Sequence, residues 1–127
     1  MSSESNPTPL MSNGAWRKFF QVRLEHHDSV WVSSWKLVGE EVTTHVSFSD
    51  LGRDIRESAV DGCLNGPVEY KAIEWIEMPR EVLYLPYPNA PMDTAIQDIG
   101  ALRDALGEAG QFPLELTAGA LKIFGYR

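Results

Sequence analysis

The apolar residues of this chain switch repeatedly between helical and strand spacing, and that change of period limits its fold more than any bulk property does. Trp16, Phe19, Phe20 and Leu24 recur as one helical face would, with Asn13 as a candidate N-cap. Phe20, Val22 and Leu24 also alternate as in a strand, and Arg23 falls on the apolar side of the helix. A short helix that gives way to a strand near Phe20 reconciles the two patterns. From Val30 to Val38 the period is two, with Val30 and Val32 opposed to Trp31, Ser33 and Trp35. Gly39, Glu40 and Glu41 form a turn, and the β-branched run from Val42 to Phe48 returns as the second arm of a hairpin.

Farther on, Leu51, Ile55 and Ala59 have the spacing of a short helix capped by Ser49 or Asp50, and Asp61, Gly62, Asn65, Gly66 and Pro67 interrupt it. A strand is predicted from Val68 to Met78, ending at Pro79, and a shorter one from Val82 to Leu85, before the loop marked by Pro86, Pro88 and Pro91. Ile96, Ile99, Leu102 and Leu106 predict a second helix starting after Asp93 or Thr94 and ending at Gly107 or Gly110. Leu114 and Leu116, then Leu121, Ile123 and Phe124, flank Thr117–Gly119 as a last hairpin. The order indicates an α+β fold with a mainly antiparallel sheet of about five to six strands, a short N-terminal helix and a second helix near the C-terminus. Residues 1–12, rich in Ser, Pro and Asn, read as a disordered leader, and residues 13–127 as a single domain.

With 127 residues, 43% of them hydrophobic and 23% charged, the chain has enough apolar material for one core. Cys63 is the only cysteine, so an internal disulfide is excluded, and neither a signal-peptide pattern nor a run of about 20 apolar residues occurs. These features predict a cytoplasmic protein that does not enter a membrane. The net charge of −7 is unevenly placed: residues 40–77 hold nine acids against three bases, whereas the flanking segments are nearly balanced. A field of that sign repels nucleic acid and attracts basic proteins.

Catalytic patterns are sparse. Glu69-Tyr70-Lys71, with an upstream Asp, has the residue types with which metal-dependent nucleases hold a divalent ion and orient water. The three-residue match is short, and a charge pair across strands explains it more simply. His26, His27 and Asp28 are adjacent in sequence and make a poor chelate; a surface turn is the simpler reading. No dinucleotide or phosphate-binding glycine motif occurs, and no cofactor is expected. Of the four tryptophans, Trp16 and Trp75 are expected in the core. Trp31 and Trp35, four residues apart on one strand face, would point outward if Val30 and Val32 point inward.

Three segments resemble a family of small uncharacterised bacterial proteins: Asn13–Trp16, the strand Tyr70–Glu77 (Tyr-Lys-Ala-Ile-Glu-Trp-Ile-Glu) and Leu121–Tyr126, with its closing Phe-Gly-Tyr. The resemblance covers about a third of the chain, leaves Gly39–Pro67 and the proline-rich loop unmatched, and implies no catalytic residues. Some small acidic bacterial proteins act as immunity factors against secreted toxins, and the analogy extends to this chain. The expected function is therefore a non-enzymatic immunity protein that binds a basic toxin domain. The expected contact residues are Glu40, Glu41, Asp50, Asp54, Glu57 and Asp61, with Trp31 or Trp35 as an apolar anchor. The alternatives are a metal-dependent hydrolase using Glu69 and Lys71, and a self-associating structural domain that forms a homodimer.

Overall fold

Ser12, not Asn13, caps the first helix: its Oγ accepts a hydrogen bond from the Ala15 amide at 3.1 Å. The computed structural model describes residues 8–47, 55–64 and 66–127. Helix α1 runs Asn13–Glu25 and does not yield to a strand at Phe20. The strand-like alternation loses because Trp16, Phe19, Phe20 and Arg23 form one helical stripe that is fully buried. Arg23 is tolerated there because its guanidinium donates to the Val30 carbonyl oxygen at 3.1 Å. Past the end of the helix, His26 and His27 place Nδ1 at 3.0 and 3.2 Å from the carbonyl oxygens of Val22 and Leu24, where a donor satisfies the last turn.

Five strands make the main sheet: β1 (Val32–Leu37), β2 (Thr43–Ser47), β5 (Ile73–Pro79), β8 (Leu114–Leu116) and β9 (Ala120–Phe124). Their order is β2-β1-β5-β9-β8, and every pairing is antiparallel. Both expected hairpins, β1–β2 and β8–β9, are present. Gly39 turns the first with φ of +87°, a conformation that a residue with a Cβ resists. Helix α2 (Ile99–Ala109) starts later than its spacing suggests, with Asp98 as N-cap, and Asp93–Ile96 is instead strand β7. The fold is α+β, with a mainly antiparallel sheet and helices near both ends of the sequence.

Register places Trp35, Ile76, Ile123 and Leu114 in one row across the sheet, on the face that meets both helices. Phe20 stands at the centre of the core, with ring centroids 5.0 to 5.9 Å from those of Phe19, Trp35, Trp16 and Tyr70. The opposite face carries the row Lys36, Trp75 and Phe124, and beside it Ser34, Glu77, Lys122 and Glu115. Among the described residues no helix covers that side, as is common for an antiparallel sheet. Where β9 leaves the sheet, the Gly125 amide donates to the Glu74 carbonyl at 2.7 Å; a Cβ on Gly125 would overlap the Ile73 carbonyl oxygen and crowd the Trp16 ring. Only glycine permits so close an approach.

Two smaller hairpins complete the architecture. β3 (Ala59–Leu64) pairs with β4 (Gly66–Glu69), so the helix predicted up to Val60 is not formed over 55–60; its first half lies outside the described residues. Ile55 is bridged to Val60 instead. The long strand predicted from Val68 is divided by a single 3-10 turn, Tyr70–Ala72, between β4 and β5. The other hairpin joins β6 (Glu81–Tyr84) to β7. Within the expected leader, the Thr8 and Leu10 amides donate to the carbonyls of Arg127 and Gly125, so this stretch lies along the C-terminus.

Candidate functional site

The expected acidic contact residues that the structure describes fall in three places. Glu40 and Glu41 occupy the tip of the β1–β2 hairpin, exposed, with no ion pair to any described residue. On either side of them, Val38 is 53% and Val42 71% exposed. The tip is thus a pair of free carboxylates between two exposed β-branched side chains. Glu57 is exposed before β3, where its carbonyl accepts from Arg17 Nη1. Asp61 lies within β3, and Asp50 and Asp54 lie outside the described residues.

Of the two tryptophans expected as anchors, Trp35 is corrected. Trp35 is 0% exposed, packed on Phe20, with Nε1 donating to Ser33 Oγ at 2.8 Å. Trp31 precedes β1 and is half-buried. The phase inferred from Val30 fails because β1 begins only at Val32: Val30 is buried beside α1, and the strand then turns Ser33 and Trp35 inward. Trp75 makes the opposite exchange. It lies on the uncovered sheet face, half-buried, with Lys122 Nζ 3.9 Å above its ring. Val38 and Val42 were missed because exposure at a turn leaves no periodic signal.

Glu69 and Lys71 do not share the face of one strand. Glu69 ends β4, Lys71 sits in the 3-10 turn, and their charged ends meet at 3.4 Å on the surface. Among the described residues, no group of three or more His, Cys, Asp or Glu is placed to hold a metal ion, and no helix is long and apolar enough to cross a membrane.

The β6–β7 hairpin leaves the weakest signal in the amino-acid pattern. Gln97, just past β7, is buried and uses its whole side-chain amide: Oε1 accepts from the Trp31 and Val32 amides, both at 2.7 Å, and Nε2 donates to the carbonyls of Pro79 (2.6 Å) and Val32 (3.1 Å). Its own amide donates to the Arg80 carbonyl. This ties the base of the hairpin to the ends of β1 and β5. Only Val82 of the hairpin's apolar residues is buried; Leu83, Leu85, Tyr87, Met92 and Ile96 are exposed. Comparison with family models, curated proteins and solved structures returns no significant match.

Proposed function

We propose that this chain is a non-enzymatic protein-binding domain of the immunity type, which neutralises a cognate bacterial toxin by engaging a basic surface on it. The observation that carries the reading is the tip of the β1–β2 hairpin. There Glu40 and Glu41 have no cation to satisfy them among the described residues, and Val38 and Val42 offer apolar contact beside them. Buried against a basic partner, such carboxylates gain charge-assisted hydrogen bonds, while the wider negative field of residues 40–77 steers encounter. With Trp35 buried, Val38 and Val42 supply the apolar anchor at this tip. In this reading the protein acts in the cytoplasm, where its single thiol stays reduced.

The test is the association kinetics with a basic toxin domain encoded beside this chain. Glu40→Lys with Glu41→Lys should slow association severalfold at low salt, with a smaller change in dissociation. Unchanged association kinetics would remove the hairpin tip from the interface.

A further inference from the structure

Five large apolar side chains between residues 83 and 96 are 51% to 69% exposed: Leu83, Leu85, Tyr87, Met92 and Ile96. Scattered singly they would need no explanation, but five on one hairpin call for one, since grouped exposed apolar side chains are often functional. Register pairs Leu83 with Thr94 and Glu81 with Ile96, so these four share one face of the hairpin. Two strands without a third are marginal in water, and among the described residues Val82 and Gln97 pin this pair at its base.

A groove of about 590 Å³ runs between β6 and the uncovered face of the main sheet. Val32, Pro79, Val82 and Leu83 give it apolar walls, and Glu77, Glu81 and His45 line it as well, the His45 ring hydrogen-bonded to Ser34 Oγ. Neither carboxylate forms an ion pair with a described residue. Lys122, the cross-strand neighbour of Glu77, is placed over Trp75 instead. The charge therefore selects the occupant. A second copy meeting this face about a two-fold axis would bring Glu81 toward Glu81 on chains that each carry −7. A basic segment would neutralise both carboxylates.

We infer that the β6–β7 hairpin and its groove form a second docking surface, for a partner segment with lysine or arginine next to apolar residues. The basic groups reach Glu77 and Glu81, and the apolar neighbours cover Leu83 and Ile96. The inference rests on the basic-partner reading and adds to it a contact at the other end of β1, about 20 Å from the hairpin tip at ~3.3 Å per residue.

The test titrates the isotope-labelled full chain with a short lysine–leucine peptide, and separately with a glutamate–leucine peptide of the same pattern, following amide shifts. The lysine–leucine peptide should perturb residues 81–85 and 93–96. Its affinity should fall at least tenfold in Leu83→Ser/Ile96→Ser and severalfold in Glu77→Gln/Glu81→Gln. Shifts confined to residues 38–42 would overturn the second surface and leave the basic-partner reading standing; no shifts at all would count against both. Equal response to the two peptides would overturn the charge selection. A dimer seen by light scattering and dissolved by Leu83→Ser/Ile96→Ser would assign the surface to a second copy instead.

Discussion

The cluster around Phe20 and the β6–β7 hairpin are built from the same kinds of residue and meet opposite fates. Trp16, Phe19, Phe20, Trp35 and Tyr70 are almost wholly buried, because a helix and a sheet face each other there and each ring finds several neighbours. Leu83 and Ile96 belong to a two-stranded ribbon, Leu85, Tyr87 and Met92 to the loop that joins its strands, and all five remain in water. Hydrophobic composition does not separate the two regions; the supply of packing partners does. The first region stabilises the fold, and the second leaves its apolar side chains exposed.

Substitutions can break or sharpen that contrast. Phe20→Ala should lower unfolding free energy by ~3–5 kcal/mol in urea denaturation, since it empties the middle of the aromatic cluster. A loss below ~1 kcal/mol would mean that the cluster is not the stabilising centre. Gln97→Leu comes next, at ~1–3 kcal/mol, because it leaves the Trp31 and Val32 amides without their acceptor. Hydrogen exchange at those two amides should accelerate more than exchange in β9; uniform acceleration would deny Gln97 its local anchoring role. Leu83→Ser with Ile96→Ser should change stability least, within ~0.5 kcal/mol per site, because neither side chain is packed. A loss of several kcal/mol would mean that the hairpin belongs to the core.

Much of the fold is legible in the sequence wherever local signals agree. Gly39 between two β-branched runs specifies the β1–β2 hairpin, and Thr117–Gly119 between Leu116 and Leu121 specifies the last one. Legibility ends where two periods overlap or where phase depends on a strand's starting residue. Phe20, Val22 and Leu24 fit both a helix and a strand, and only burial against Trp35 and Tyr70 selects the helix. Trp35 and Trp75 exchange their expected places because one residue of phase moves a side chain to the other face of a sheet. Ile96 has the right distance to Ile99 for a common helix, but the pairing of β7 with β6 claims it.

The candidate site was legible only as charge. Glu40 and Glu41 were found because the excess of acids is local, whereas the exposed Val38 and Val42 and the hairpin at residues 81–96 become visible only when burial is known. The two surfaces also differ in kind. Charge dominates at the β1–β2 tip, so reversal there should act on association; apolar area dominates at the β6–β7 hairpin, so truncation there should act on dissociation.

The most direct test of the basic-partner account is the association rate of the chain with the proposed basic toxin domain, measured across ionic strength for the natural sequence and for Glu40→Lys/Glu41→Lys. The account predicts a rate that falls steeply as salt rises and a shallower dependence in the variant. The same salt dependence in both proteins, or none in either, would contradict it.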